Sequence, residues 1–184
     1  MNKYHLCHRI DRLKYFLKKI QRNNVNRILI RSSNWIGDAV MTTPAIRAIR
    51  LNFPSAEISI LAKPWVAPIY DNNPDIDRIL ICRSDGRHGG FAGIFRLGRD
   101  LRKEKFDLAF LLPNSFEIAF VSFLAGISMC AGYDTDCRKF FLTPAVRLKP
   151  EYKRYHQIDY YLVILKQMGL RTFGTQQTLV ASDA

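Results

Sequence analysis

Arg31–Pro44, with the sequence RSSNWIGDAVMTTP, is the stretch that decides the fold of this chain. It follows an apolar run typical of a β-strand, Ile28–Ile30, and it precedes apolar residues at helical spacing from Ala45 to Ile49. A polar turn between a strand and a helix lies at the carboxyl edge of a parallel sheet, where open α/β folds bind their ligands. The stretch therefore predicts an α/β fold with a candidate site at this turn.

Strands and helices alternate along the rest of the chain. The patterns predict strands at 27–31, 57–61, 78–82, 107–112 and 129–132, and helices ending near 52 and spanning 65–70, 95–105, 117–125 and 152–168. In the strand predicted at 107–112, every residue after Asp107 is apolar, which predicts a central strand. This alternation predicts a parallel, Rossmann-like sheet with right-handed crossovers and helices on both faces.

The charge of the chain is unusual for a protein of this length. The 184 residues suffice for one domain and carry a net charge of +12. Residues 1–27 hold eight Lys or Arg against one acidic residue, Asp11, and residues 3–22 have the spacing of a basic amphipathic helix. Such a helix packs on its own domain or lies on an anionic membrane surface, and the sequence leaves both interpretations open.

Several classes of protein lack support in the sequence. No apolar run approaches the ~20 residues of a membrane span. The cysteines form no C-x-x-C pair, which favours reduced cytosolic thiols, and the histidines lack metal-ligand spacing. The first turn contains neither G-x-G-x-x-G nor a P-loop, and no RNP-type or zinc motif supports nucleic-acid binding.

Asp38 is the candidate catalytic residue. It follows Gly37 at a helix start, where a carboxylate either caps the helix or acts as a general base toward a hydroxyl in a cleft. Ser33 and Asn34 in the same turn can bind a polar ligand or satisfy turn backbone. Trp35 is either a core anchor, the commoner case, or an exposed stacking surface.

Other candidate binding residues come from two later loops. Arg87 and His88 lie in a Gly-rich loop, residues 83–93. The basic residues from Arg87 to Lys105 form either a solvated helix face or a clamp for phosphate or carboxylate groups. Asn114 and Ser115 follow the predicted central strand, on the edge of the sheet that also carries Asp38.

Motifs distributed over residues 27–170 resemble the amino-terminal domain of a known enzyme family. They are SNWIGDAVM at 33–41, LPNSF at 112–116, FLAGI at 123–127, Gly132-Tyr133 and YHQIDYY at 155–161. The chain resembles the ADP-heptose:lipopolysaccharide heptosyltransferases, and within them most nearly the heptosyltransferase II group.

The resemblance implies the fold and the chemistry of a GT-B glycosyltransferase, in which two Rossmann-like halves face each other across a cleft. It implies an inverting, metal-independent transfer of heptose from ADP-heptose to the lipopolysaccharide inner core. Asp38 matches the general base of the family, and Ser33, Asn34, Asn114 and Ser115 match positions on the acceptor side. The basic loop with Arg87 and His88 would face the phosphates and acidic sugars of the acceptor.

Two departures from the family pattern shape the expected domain organisation. The family chain is about twice as long, so its ADP-heptose-binding half is expected after residue 170, and these 184 residues alone are expected to be inactive. The family lacks the basic extension. We expect an amphipathic extension at 1–26, an acceptor-binding domain at 27–170 and a linker at 171–184, working peripherally at the cytoplasmic face of the inner membrane.

The sequence also leaves a second function open. A non-catalytic Rossmann-like module that binds an anionic glycolipid or a membrane surface would have the same charge and the same fold. It differs from the transferase in having no need for a base at Asp38.

Overall fold

The computed structural model describes residues 25–180, and a six-stranded sheet lies at its centre. The strands are β1 (Arg27–Arg31), β2 (Glu57–Ala62), β3 (Arg78–Ile81), β4 (Leu108–Leu111), β5 (Met129–Tyr133) and β6 (Ala145–Val146). Their order is β3-β2-β1-β4-β5-β6, and every neighbouring pair is parallel. This is the order of a Rossmann-type sheet, which confirms the predicted fold class.

Helices cover both faces of the sheet. They are α1 (Ile36–Asn52), α2 (Gly90–Glu104), α3 (Phe116–Leu124) and α4 (Gln157–Gln167). Because successive residues of a strand point to opposite faces, Ile28 and Ile30 of β1 pack with α1 and α4, whereas Leu29 packs with α2 and α3. Within the described residues, no helix is both long and apolar enough to cross a membrane.

Helix α1 continues through Pro44 without a break. Proline has no backbone N–H, so the carbonyl of Val40 loses its ordinary helical partner. The hydroxyl of Thr43 donates to that carbonyl at 2.8 Å. The threonine side chain thus satisfies the acceptor that proline leaves open.

An ion-pair network closes the amino edge of the sheet, opposite the candidate site. Arg27 of β1 pairs with Glu57 of β2 at 3.1 Å, and Arg78 of β3 pairs with Glu57 at 2.9 Å and with Glu104 of α2 at 2.8 Å. These side chains are a quarter to two fifths exposed, so each pair adds only modestly to stability. Their geometric effect is to hold the starts of β1, β2 and β3 in line.

The structure moves the start of two helices and adds one strand. Helix α2 begins at Gly90, so the predicted loop is shorter, and a Cβ on Gly93 would lie 2.2 Å from the carbonyl carbon of His88. A close backbone contact therefore requires glycine there. Helix α4 begins at Gln157, after a 3₁₀ turn at Pro150–Arg154. Strand β6 has only two residues and was not predicted from the sequence.

The ends of the chain bear on the expected domain organisation. The predicted amphipathic extension, residues 1–26, lies outside the described residues except for its last two positions. Residues 171–180 are irregular and hydrogen-bond to α1: Arg171 donates its N–H to Asn52 at 3.1 Å, and Thr178 donates to Thr43 at 3.1 Å.

Candidate functional site

The candidate site lies where the order of the strands reverses. Strands β1 and β4 are neighbours, and the chain leaves them toward opposite sides of the sheet, which opens a crevice at their carboxyl ends. The turn after β1 carries Ser33, Asn34 and Asp38, and the turn after β4 carries Asn114 and Ser115. The structure therefore places these five predicted residues on the same edge of the sheet.

Buried hydrogen bonds hold the first turn in place. The hydroxyl of Tyr70 lies 2.6 Å from Ser32 Oγ and 3.0 Å from Thr42 Oγ1, and burial raises the pKa of the tyrosine. The backbone N–H of Ser32 donates to the carbonyl of Leu61 on β2 at 3.1 Å. The turn is thus fixed to the sheet before any ligand binds.

Asp38 lies in the first turn of α1 but does not cap it. The N-cap residue is Trp35, and no side chain caps this helix. Ser33 Oγ donates to Asp38 Oδ2 at 3.2 Å, while Oδ1 accepts no hydrogen bond from the described residues. The side chain is half-buried. One carboxylate oxygen is therefore oriented by the protein, and the other is available to a ligand hydroxyl.

Tyr161 of α4 lies beside Asp38 and is a residue that the sequence reasoning did not assign to the site. Its side chain hydrogen-bonds to Ser33, and the negative charge of Asp38 acts on its hydroxyl. Burial, together with that nearby negative charge, raises the pKa of Tyr161 to about 12. The tyrosine therefore stays protonated at neutral pH. The one signal in the sequence was its place in the motif at 155–161.

Asn114 is held from both ends of its amide. Arg138 Nη2 donates to Asn114 Oδ1 at 2.8 Å, and Asn114 Nδ2 donates to the hydroxyl of Tyr160. Arg138 also donates to the carbonyls of Tyr133, at 2.8 Å, and Pro113. Burial lowers the pKa of this arginine to about 10. The second edge turn is thus as rigid as the first.

A small cavity lies between the two turns, on the side of α3. Its volume is about 100 Å³, and its polar lining consists of Arg31, Asn34, Lys63, Cys82, Ser115, Glu117 and Ser122. Arg31 is buried and donates to Asn34 Oδ1 at 2.8 Å. Within residues 25–180 it forms no ion pair, and burial lowers its pKa. Two cations facing one carboxylate leave this cavity suited to a polar or anionic group of a ligand.

Trp35 does not anchor the core, which is the role that we considered more common for such a residue. Its side chain is 75% exposed. The indole of Trp65 instead fixes the turn by donating from Nε1 to the carbonyl of Asn34 at 3.0 Å. Trp35 therefore extends from the site edge as an apolar surface.

Arg87 and His88 are not joined to the other predicted site residues. Arg87 donates to both carboxylate oxygens of Asp100, at 3.0 and 3.1 Å, and His88 Nε2 lies 3.5 Å from the same carboxylate. In the described part of the chain, neither makes a hydrogen bond or ion pair with Asp38 or Asn114. Their loop follows β3, two strands away from β1.

The basic residues from Arg87 to Lys105 do not all lie on the side of the site. Helix α2 has 15 residues and runs away from the site edge, so its two ends lie roughly 22 Å apart. Arg102, Lys103 and Lys105 therefore lie at the opposite edge of the sheet. Only the first part of this basic stretch is on the side of the site.

No metal site is evident in the part of the chain that the structure describes. Over residues 25–180, no group of three or more His, Cys, Asp and Glu side chains is arranged to hold a metal ion.

Comparisons with known proteins point to one family. The model of glycosyltransferase family 9 (heptosyltransferase) matches residues 94–184, a stretch that includes Asn114 but not Asp38. The lipooligosaccharide heptosyltransferase 2 of Haemophilus ducreyi is 28% identical over 152 residues, which are 82% of this chain and 40% of that protein. The chain thus spans well under half the length of this curated relative.

Solved structures have the same fold. The family 9 glycosyltransferase of Veillonella parvula superposes with a TM-score of 0.77 at 22% identity, over 86% of this chain and 46% of that one. The ADP-heptose lipopolysaccharide heptosyltransferase II of Escherichia coli superposes with a TM-score of 0.64 at 24% identity, over 84% and 47% of the two chains. These likenesses establish the fold of the chain.

Proposed function

We propose that this chain, which belongs to glycosyltransferase family 9, the heptosyltransferases, forms the acceptor-binding half of a transferase that moves heptose from ADP-heptose to the lipopolysaccharide inner core. The observation that carries the proposal is the geometry of Asp38. Its carboxylate lies at the strand-order reversal, with Ser33 on Oδ2 and with Oδ1 available. A carboxylate so placed can accept the proton of an acceptor hydroxyl.

The proposed reaction inverts the configuration at the anomeric carbon. Asp38 takes the proton of the acceptor hydroxyl, and the oxygen forms a bond to the anomeric carbon. The bond from that carbon to the diphosphate breaks on the opposite side, and its electron pair leaves with ADP. Ser33 keeps the carboxylate oriented by its hydrogen bond to Oδ2, and Tyr161 in turn interacts with Ser33. We propose that the step is metal-independent.

The acceptor contacts are proposed for the two edge turns. Asn34, Asn114 and Ser115 offer amide and hydroxyl groups to sugar hydroxyls, and the cavity beside Arg31 offers cations to an acidic sugar or a phosphate. Asn114 enters this role already positioned, because Arg138 and Tyr160 fix both ends of its amide. Arg87 and His88 remain proposed contacts for the outer part of the acceptor, since they lie farther along the same edge.

We propose that ADP-heptose is bound by a second α/β half outside these 184 residues. The chain covers 40% of its Haemophilus ducreyi relative, which leaves room in such a protein for a complete second half. The linker proposed for 171–184 would connect the two halves. We further propose that the transferase works in the cytoplasm, at the periphery of the inner membrane, because its acceptor is a lipid and the chain carries a charge of +12.

The test is a two-domain fusion that joins this chain to the carboxyl-terminal half of the Haemophilus ducreyi enzyme. We expect the fusion to transfer heptose from ADP-heptose to an inner-core acceptor, detected as a mass increase of the acceptor, and we expect no transfer by the chain alone. Titration calorimetry on the chain alone should show binding of the deacylated acceptor and none of ADP. Binding of ADP without binding of the acceptor would contradict the proposal.

A further inference from the structure

Seven phenylalanine side chains form one surface on the outside of α2 and α3. We call it the aromatic surface; it consists of Phe91, Phe95, Phe116, Phe120, Phe123, Phe140 and Phe141. Phe140 is 90% exposed, Phe91 is 76% exposed and Phe123 is 59% exposed. Soluble proteins seldom expose so many large apolar side chains together unless the surface has a partner.

The rings are in contact across three elements. Phe91 and Phe95 of α2 have centroids 5.2 Å apart, and Phe95 lies 6.1 Å from Phe120 of α3. Phe141, from the 3₁₀ turn at Arg138–Phe141, lies 5.6 Å from Phe120 and 5.3 Å from Phe123. Six of the seven rings are therefore joined by contacts, and Phe140 is the chain neighbour of one of them, Phe141.

The packing of the helices brings these rings together. A Cβ on Gly98 of α2 would lie 2.7 Å from Leu124 Cβ, so glycine allows α2 and α3 to approach closely. The inner faces of the two helices already fill the core with Leu97, Leu101 and Val121. Phe141 also packs against this core, and the other six phenylalanines are additional to it.

The charges around the aromatic surface are mainly positive. Arg96, Arg99 and Lys139 are exposed beside the rings, and in the described part of the chain none of the three forms an ion pair. The acidic Asp100 of α2 is already paired with Arg87, and Glu117 of α3 lines the cavity beside Arg31. Apolar rings bordered by unpaired cations match the interface of an anionic bilayer, whose negative surface attracts Lys and Arg.

We propose that the aromatic surface docks on an anionic lipid bilayer, with the phenylalanines inserted at the level of the headgroups. Helices α2 and α3 both begin at the edge of the sheet that carries Asp38, so Phe91 and Phe116 lie at the end of the surface nearest the site. Docking there holds the crevice at the membrane surface, where the sugars of a lipid-anchored acceptor are found. The inference rests on the proposed function in one respect only, the choice of a lipid bilayer as the partner of the aromatic surface.

The experiment measures vesicle binding and involves no turnover. The 184-residue chain is floated with vesicles of phosphatidylglycerol and phosphatidylethanolamine in equal parts. We expect the variant Phe91→Ser with Phe123→Ser to lower the fraction bound at least about tenfold, since each ring loses apolar area that the bilayer would cover. Phe173→Ser is the matched control, because Phe173 is 50% exposed but lies in the segment after α4; we expect it to bind as the wild type does.

Three results would overturn the inference. One is equal vesicle binding by the double variant and the wild type, and another is equal loss in the Phe173→Ser control. The third is a wild-type dimer in sedimentation that the double variant abolishes without any vesicle binding, because the surface would then join two copies of the chain. Phe140→Ser, at a nearly fully exposed position, repeats the test without risk to the fold. Transfer by the two-domain fusion to a deacylated acceptor tests the function separately.

Discussion

Replacing Arg138 with alanine should destabilise the domain by about 3 kcal/mol. The side chain is fully buried and donates to two backbone carbonyls and to Asn114 Oδ1. Hydrogen bonds from a charged donor are worth about 1.5–3 kcal/mol each. Removing the guanidinium also removes its own desolvation cost of several kcal/mol, and breaking a buried charged contact costs about 3–5 kcal/mol in measured cases. We therefore take the lower end of that range.

Urea denaturation measures this effect. The transition midpoint of Arg138→Ala should fall while the slope stays unchanged, because the substitution alters stability and not the area exposed on unfolding. Arg138→Lys should recover only part of the loss, since one ammonium cannot reproduce a planar fork of donors. Arg147→Ala, at an exposed arginine, is the matched control and should leave the midpoint unchanged. A loss below about 1 kcal/mol in Arg138→Ala would refute the assigned role.

Three further substitutions test other parts of the account. Arg78 beside Glu57 holds the pKa of that carboxyl below its ordinary 4.5, so Glu57 stabilises the fold above pH 4.5 and the contribution is lost as the pH falls through the lowered value. Below pH 4.5, the urea midpoint of Glu57→Gln should therefore depend less on pH than that of the wild type. An equal fall of the midpoint with pH in the wild type and in Glu57→Gln would contradict this. Gly93→Ala should lower the free energy of unfolding, measured by thermal unfolding, by about 2 kcal/mol, because its Cβ would meet the His88 backbone. Gly37→Ala is the control and should leave that free energy unchanged, because a Cβ there has open space. Equal losses of stability in Gly93→Ala and Gly37→Ala would show that the close contact is not the reason for glycine at position 93. Tyr161→Phe should lower turnover of the two-domain fusion about tenfold with unchanged acceptor affinity, since it loses the hydrogen bond to Ser33, whose hydroxyl holds Asp38 Oδ2. Unchanged turnover would place Tyr161 outside the reaction.

The order of the strands and helices could be predicted from the sequence, because apolar residues recur at different spacings in strands and in helices. The apolar residues 108–112 predicted a central strand, and they contain β4, which lies between β1 and β5. The start of α2 at Gly90 could not be predicted from the sequence. Glycine disfavours a helix locally. The close approach of the His88 backbone explains the glycine at Gly93, and the positive φ of Gly90, +62°, explains the glycine at the first position of the helix.

Only part of the candidate site could be predicted from the sequence. The edge turns with Asp38 and Asn114 follow from strand topology, since parallel strands end at one edge. Arg138 was not predicted, because a charged residue in a polar loop is ordinarily solvated and no local signal marks the three acceptors that surround it. For Trp35 the sequence left a core anchor and an exposed surface both open, with the first the commoner case; the structure has the side chain 75% exposed, while Trp65 donates to the carbonyl of Asn34 in the same turn.

Turnover of the Asp38→Asn variant tests the central claim most directly. Asparagine keeps the size of the side chain and can still accept from Ser33, but it cannot take up the proton of the acceptor hydroxyl. In the two-domain fusion we predict that kcat falls at least about a hundredfold, the scale of general-base catalysis, while acceptor affinity and the urea midpoint stay those of the unsubstituted fusion. A kcat within about twofold of the unsubstituted fusion would contradict the assignment of Asp38 as the base.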